Sequence, residues 1–168
     1  MILIYVRHAI AMERDEFAKY AIEKGLDADD EQRPLTAEGK RKMKKGAEGL
    51  VTCVGQSFDS KIGRAKPLII SSPLVRAVQT ASIIASAFGK TKAKPDFQTE
   101  TLSPGRNPKE FRDYLYELQH SRPGGMHLNT SVIAVGHEPM LSGSVGWWMI
   151  GKDRAHFPMK KGAAICLE

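Results

Sequence analysis

Four side chains that carry or can accept positive charge follow the ends of short apolar runs in this 168-residue chain; they are Arg7, His8, Arg76 and His137. A guanidinium group binds two phosphate oxygens through parallel N–H donors, and a neutral imidazole is a nucleophile for phosphorus. No acidic residue stands among the four. We therefore expect a receptor for a compact dianion such as a phosphoryl group.

The elements that must position these side chains are the apolar runs at residues 2–6, 68–71 and 132–135. Short runs rich in β-branched side chains are typical of buried parallel strands. In an open α/β sheet, ligands bind just beyond the carboxyl ends of the strands. The two arginines and two histidines are therefore expected to converge on one crevice.

Three of these side chains, His8, Arg76 and His137, have an expected task. One ring N–H of His8 is expected to donate a hydrogen bond to a backbone carbonyl, which leaves the other ring nitrogen a lone pair for attack on phosphorus. Neighbouring arginines would disfavour the imidazolium and keep His8 neutral near pH 7. Arg76 would hold two phosphate oxygens, and His137 would be protonated when phosphate is bound and stabilise the transition state.

Strands alternate with amphipathic helices along the chain. This pattern predicts an α/β protein, a three-layer α/β/α sandwich with a mainly parallel central sheet, as one domain spanning residues 1–168. Helices are expected at residues 15–24, 36–52, 73–87, 109–120 and 139–150, and further strands at 96–99 and 163–167. Residues 13–33 interrupt the alternation with a charged excursion, which we place near the mouth of the site.

The composition of the chain favours one broad class of protein. A hydrophobic content of 42% and a charged content of 26% are typical of a soluble globular domain. No apolar run is long enough to cross a bilayer, and the N-terminus lacks the pattern of a signal peptide, so a cytoplasmic protein is expected. Cys53 and Cys166 are predicted to be free thiols.

The net charge of +6 is interpreted as a solvated surface. Its lysine clusters have no interleaved aromatic residues, so neither a nucleic-acid nor a membrane partner is expected. His120, His127 and His156 lack ligand-like spacing, and no metal site is predicted. A monomer is the expected state.

Four segments of the chain resemble motifs of the histidine phosphatase (phosphoglycerate mutase-like) superfamily, most closely its short SixA-like phosphohistidine phosphatases. The segments are Tyr5-Val6-Arg7-His8, residues 33–39, residues 72–81 and Gly136-His137-Glu138-Pro139, and they follow the family's order over nearly the whole chain. The resemblance implies the phosphoglycerate mutase-like fold. It implies that His8 is the phosphorylated nucleophile, and that Arg7, Arg76 and His137 complete the phosphate pocket.

Two departures from the family pattern bear on activity. Ala9 stands where the family usually has glycine, and it would be strained if that position required a positive φ. Many relatives carry a carboxylic acid that protonates the leaving group. Glu100 is the leading candidate for this acid, and Glu13 and Glu138 are weaker ones.

The leading interpretation is a metal-independent phosphohydrolase without a cofactor, and specifically a protein phosphohistidine phosphatase. Phosphoryl transfer to His8 would precede hydrolysis by water. A phosphorylated imidazole leaves more easily than an alkoxide, so a site with a weak acid would suit phosphohistidine better than an ester. Two alternatives stay open: a small-molecule phosphomonoesterase that uses Glu100, and a non-catalytic phosphate- or phosphoprotein-binding module.

Overall fold

A computed structural model describes residues 2–58, 66–120, 131–152 and 157–168. Within these ranges the strands are β1 (Ile2–Arg7), β2 (Leu68–Ser71), β3 (Phe97–Gln98), β4 (Ser131–Gly136) and β5 (Ala164–Leu167). The α-helices are α1 (Arg14–Lys24), α2 (Ala37–Phe58), α3 (Val75–Ala87), α4 (Pro108–His120) and α5 (Met140–Ile150). Short 3₁₀ turns lie at Asp30–Gln32 and Glu100–Leu102.

The strands form one sheet in the order β3-β2-β4-β1-β5. The first four are parallel, and β5 pairs antiparallel with β1. Arg7 lies opposite Gly136, and Ser71 lies opposite Val135. The carboxyl ends of β1, β4 and β2 therefore meet at one edge of the sheet, as the sequence predicts.

Both faces of the sheet are buried at its inner strands β1, β2 and β4, and the alternating side chains of β1 show this. Ile2, Ile4 and Val6 belong to the core cluster that includes side chains of α2 and α3. Leu3 and Tyr5 belong to the opposite cluster, with side chains of α4 and α5. Apolar side chains on both faces of a parallel strand require a helical layer on each side. The predicted three-layer α/β/α sandwich is confirmed.

Two helix boundaries differ from the prediction by two residues or more. Helix α2 continues to Phe58 instead of ending near residue 52. Helix α3 begins at Val75 instead of residue 73, because Leu74 has an extended backbone at φ −59° and ψ 134°. Pro73 therefore belongs to the turn between β2 and α3.

The start of α2 lies against the segment that follows His8. The Gly39 amide donates to Thr36 Oγ1 at 2.9 Å, so Thr36 caps this helix, and the Thr36 amide donates to the Ile10 carbonyl at 3.0 Å. A Cβ atom at Gly39 would lie 2.1 Å from that carbonyl oxygen. This close approach, which only glycine permits, fixes the chain beyond the first strand.

Helix length and the state of the cysteines complete the description of the fold. No helix in the described ranges is long and apolar enough to cross a membrane. Cys53 and Cys166 are exposed free thiols, as predicted.

Candidate active site

The ends of three neighbouring strands bring the two predicted histidines together. The His8 amide donates to the Gly136 carbonyl at 3.0 Å, and the Ser72 amide donates to the Val135 carbonyl at 3.0 Å. The imidazole rings of His8 and His137 are both buried, and their centroids are 4.8 Å apart. Parallel pairing thus places residues from distant parts of the sequence in one crevice.

The backbone sets the tautomer of His8. Its Nδ1 atom lies 2.8 Å from the Ala9 carbonyl oxygen. A carbonyl can only accept, so Nδ1 carries the hydrogen and Nε2 keeps the lone pair. Burial lowers the pKa of His8 to about 4; Arg76, Arg7 and Arg33 also lower it, and the bond to Ala9 opposes them. The sequence predicts that the arginines keep His8 neutral, but burial is the larger cause of its low pKa.

Ala9 fits its position without strain. It is buried, and its amide donates to Thr80 Oγ1 at 3.0 Å. No non-glycine residue in the described part of the chain has a positive φ. The strain considered for an alanine after His8 therefore does not arise. The bond from the Ala9 amide to Thr80 links the chain after β1 to α3, and Thr80 in turn donates to the Arg76 carbonyl at 2.7 Å within that helix.

The two predicted arginines lie beside the histidines, and both have hydrogen-bonding capacity to spare. Arg7 Nη1 donates to the Met159 carbonyl at 2.6 Å. Arg76 Nη1 donates to the Asp30 carbonyl at 2.7 Å, and Arg76 Nη2 lies 3.0 Å from Asp30 Oδ2. The Nε atoms of Arg7 and Arg76 are buried and have no acceptor among the described residues. Unpartnered cationic donors favour an anionic ligand.

An acid does lie against these cations, so the expectation of a site without one is wrong. Asp30 Oδ1 accepts from Arg33 Nε at 3.0 Å and from Arg14 Nε at 3.1 Å, in addition to the contact with Arg76. Burial tends to raise the pKa of Asp30, but the charges of Arg76 and Arg33 outweigh it and lower the pKa. The reason is tertiary: the charged excursion folds its 3₁₀ turn back against α3.

His137 ends a chain of buried hydroxyl groups. His137 Nε2 lies 3.2 Å from Ser72 Oγ, which lies 3.1 Å from Ser103 Oγ. Ser103 Oγ then donates to Glu100 Oε2 at 2.8 Å. Burial lowers the pKa of His137 to about 2; His8 and Arg76 lower it further, and Asp30 partly offsets them. His137 is therefore neutral at pH 7 in the free site.

The three candidate acids are not placed alike. The exposed Glu100 carboxylate accepts from Ser103, two hydroxyl groups away from His137. Glu138 accepts from the Met159 amide at 3.0 Å and from Ser142 Oγ at 2.5 Å, so it anchors the segment that also binds Arg7. Glu13 is exposed, and its Oε1 lies 3.4 Å from Lys161 Nζ.

The structure adds side chains for which the sequence predicted no role at the site: Asp30, Arg33, Ser72 and Ser103. Arg33, Ser72 and the sequence Asp30-x-x-Arg33 fall within or beside the motif segments, which was the available signal. Ser103 had none. Within the described ranges, no cluster of three or more His, Cys, Asp or Glu side chains could hold a metal ion. His120 is exposed on α4, whereas His127 and His156 lie outside the described residues.

Taken together, the geometry suits transfer of a phosphoryl group to nitrogen. His8 offers a lone pair on Nε2, and guanidinium groups from three parts of the chain lie close enough to affect its ionisation. Fixed positive charges beside a nucleophile stabilise the charge on transferring phosphoryl oxygens.

Similarity to known proteins covers almost the whole chain. An uncharacterized protein of Picosynechococcus sp. is 30% identical over 168 residues, which is 99% of this chain and 84% of that protein. No protein-family model matches.

Solved structures with the same fold share less sequence. The protein histidine phosphatase SixA, solved with tungstate, has a TM-score of 0.70 and 20% identity over 99% of this chain and 86% of that one. A mycobacterial glucosyl-3-phosphoglycerate phosphatase has a TM-score of 0.62 and 18% identity, covering 99% and 90%. The ecdysone phosphate phosphatase of Bombyx mori has a TM-score of 0.59 and 12% identity, covering 99% and 88%.

These likenesses agree with the motifs and with the sheet that positions them. The chain belongs to the same family as the Picosynechococcus protein, and it has the histidine phosphatase (phosphoglycerate mutase-like) fold in its short, SixA-like form.

Proposed function

We propose that this protein is a metal-independent phosphatase that acts through a phosphorylated His8 intermediate, and that its substrate is a phosphohistidine side chain of another protein. The observation that carries the proposal is the hydrogen bond from His8 Nδ1 to the Ala9 carbonyl. It holds a buried, neutral imidazole with its Nε2 lone pair available, beside Arg7 and Arg76. These are the requirements for a nitrogen nucleophile in phosphoryl transfer.

The reaction has two steps. The Nε2 lone pair of His8 forms a bond to phosphorus while the bond from phosphorus to the substrate nitrogen breaks. The leaving imidazole keeps the electron pair and takes a proton from water. A water molecule then attacks the phosphorus of the phosphorylated His8, and the bond from phosphorus to Nε2 breaks with its electron pair returning to Nε2. The attacking water loses one proton, which neutralises the hydroxide left by the first step, and orthophosphate is released. Arg7, Arg76 and His137 would stabilise the charge on the phosphoryl oxygens in both steps.

The choice of phosphohistidine rests on the leaving group. An alkoxide needs a proton from the enzyme, whereas an imidazole leaves without strong acid catalysis. Glu100, the leading candidate acid, is engaged in a hydrogen bond from Ser103 and lies two hydroxyl groups away from His137. The fold shared with SixA, which is described as a protein histidine phosphatase, supports the same substrate class.

A small phosphate ester is the second candidate substrate. The glucosyl-3-phosphoglycerate and ecdysone phosphate phosphatases share the fold, which favours it. On such a substrate, Glu100 would have to be protonated and reach the leaving oxygen.

The test is a single-turnover reaction with a phosphohistidine protein and, separately, with an aryl phosphate, both with a chelator present. We expect acid-labile phosphate on this chain, separated from the substrate protein by size, in the wild type and none on the His8→Ala chain. His120→Ala is the matched control, because it removes an exposed histidine on α4 that lies outside the site. The control should form the phosphoprotein as the wild type does.

The two substrates separate the alternatives. Faster turnover of the phosphohistidine protein supports the proposed substrate, and faster turnover of the aryl phosphate favours an esterase. If neither substrate yields a phosphoenzyme or orthophosphate, the catalytic proposal fails, and a phosphate-binding module takes its place.

A further inference from the structure

The chain of side chains that leads away from His137 has a definite direction. It runs from the buried ring through the hydroxyl groups of Ser72 and Ser103 to the exposed carboxylate of Glu100, with distances of 3.2, 3.1 and 2.8 Å. Ser72 and Ser103 are 0% and 6% exposed, so water does not compete freely for their hydrogen bonds.

The carboxylate sets that direction. Ser103 Oγ donates its single hydrogen to Glu100 Oε2. Ser103 Oγ can then only accept from Ser72, and the Ser72 hydrogen is used in turn. The Leu74 amide donates to Ser72 Oγ at 3.3 Å, which leaves one lone pair of that oxygen for His137. Nε2 of His137 must therefore carry a hydrogen and donate it.

We propose that Glu100 is a positioning residue that acts through Ser103 and Ser72 to hold His137 in its Nε2–H tautomer, with Nδ1 free to accept a proton when the phosphoryl group is bound. This role differs from that of a general acid. Glu100 accepts the hydrogen bond of Ser103 and acts on His137 only through the two hydroxyl groups, which it polarises in the direction that favours the cationic form of His137. The catalytic part of this inference rests on the proposed phosphatase function, whereas the tautomer does not.

The two histidines would then have opposite tautomers in one crevice. His8 carries its hydrogen on Nδ1 and is a nucleophile, whereas His137 carries it on Nε2. Pairs of titratable groups held in different states by their surroundings have different roles in catalysis. The hydroxyl chain places the hydrogen of His137 on Nε2. His8 must keep its own Nε2 without a hydrogen, because that lone pair is the nucleophile.

The direct test is the ¹⁵N spectrum of the imidazole rings, with the His137 signals assigned by their loss in His137→Ala. The wild type should show a protonated Nε2 and a bare Nδ1 near pH 7. In Ser103→Ala, the Ser72 hydroxyl loses its acceptor and turns its hydrogen toward His137, so the Nδ1–H tautomer should become populated. Ser103→Thr keeps the hydroxyl and should restore the wild-type spectrum.

Glu100→Gln tests the carboxylate itself. An amide can donate as well as accept, so the chain loses its enforced direction, and both tautomers of His137 should appear. The matched control is Glu110→Gln, which makes the same change at an acid that bonds the Asn107 amide at the start of α4. An Nδ1–H tautomer in the wild type, or an unchanged spectrum in both Ser103→Ala and Glu100→Gln, would overturn the inference.

Kinetics separate this inference from the proposed function. In an active phosphatase, Ser103→Ala should lower kcat by about 10- to 100-fold with little change in KM, as when a group that orients a functional histidine is lost. Loss of the tautomer without loss of kcat would refute the catalytic part. If the wild type has no phosphatase activity, the proposed function fails, and the spectra alone decide the role of Glu100.

Discussion

At the scale of single residues, hydrogen-bond partners decide what the two histidines can do. The rings of His8 and His137 lie 4.8 Å apart and share the field of the same arginines. The Ala9 carbonyl accepts a hydrogen bond from Nδ1 of His8, whereas Nε2 of His137 bonds the hydroxyl group of Ser72. Burial keeps both rings neutral, so their difference comes from the atoms that they contact.

His8 should remain neutral far below the pH at which a free histidine is protonated. Its pKa of about 4 reflects burial first and the arginines second. The check is an NMR titration of the His8 ring, identified by its loss in His8→Ala. The ring should stay neutral at pH 5 in the folded protein, whereas in urea it should titrate near ~6.5. Protonation near pH 6 in the folded state would contradict a buried nucleophile.

Asp30 is expected to compete with phosphate for Arg76. Its carboxylate lies 3.0 Å from Arg76 Nη2, and Asp30→Asn keeps the shape while removing the charge. Orthophosphate should then bind roughly 2- to 5-fold more tightly, the range of a partly exposed ion pair, as measured by calorimetry.

The matched control for Asp30→Asn is Asp29→Asn. The substitution makes the same charge change at the preceding residue, whose carboxylate accepts from the Glu31 amide. Phosphate binding should not change there. Weaker binding in Asp30→Asn would mean that Asp30 holds Arg76 in place instead of competing with the ligand.

At the scale of elements, the site depends on how helices meet the strand ends. Helix α2 contacts the chain just after His8, and Thr36 both caps the helix and bonds the Ile10 carbonyl. Helix α3 presents Arg76 and Thr80, and Thr80 holds the Ala9 amide. Shifts in either helix would therefore move His8.

Gly39→Ala should destabilise the protein, because the new Cβ would lie 2.1 Å from the Ile10 carbonyl oxygen. We expect the free energy of unfolding in urea to fall by about 1–3 kcal/mol, the usual effect of overpacking. Gly49→Ala is the control in the same helix, since nothing lies within 4 Å of the place that its new methyl group would take. That change should raise stability by about 0.4–1 kcal/mol. Equal effects at the two positions would contradict the close approach.

At the scale of the whole molecule, two buried neutral histidines link folding to pH. Their folded pKa values, about 4 for His8 and about 2 for His137, lie below that of the unfolded chain. Between about pH 6.5 and the folded pKa, the unfolded chain binds protons that the folded protein does not. Stability is therefore full above about pH 6.5 and falls as the pH drops through this window.

Acid should thus unfold the protein in a histidine-dependent way. The free energy of unfolding should fall by up to ~1.4 kcal/mol per pH unit for each histidine between about pH 6 and 4. Urea titrations at several pH values measure this slope. His8→Ala should make it shallower, whereas His120→Ala, which removes an exposed histidine, should keep it. A wild-type slope near zero would show that the rings are not buried in the neutral form.

Sequence alone was enough to predict the layers of the fold and the residues that meet in the crevice. Apolar runs in β1, β2 and β4 can be buried only in a sheet covered on both faces, and parallel strands end at one edge. That edge necessarily holds Arg7, His8 and His137, so the crevice could be predicted before any contact was known.

The support of these groups, in contrast, became visible only in the folded chain. Asp30 reaches Arg76 across 46 residues, and Ser103 reaches Ser72 across 31. No periodic pattern in the sequence predicts either contact, because each depends on how a loop folds back on the sheet. Burial, the main cause of the neutral histidines, is also a property of packing and not of neighbours in sequence. Local pattern therefore sets which residues arrive at the site, and long-range packing sets their charge and tautomer.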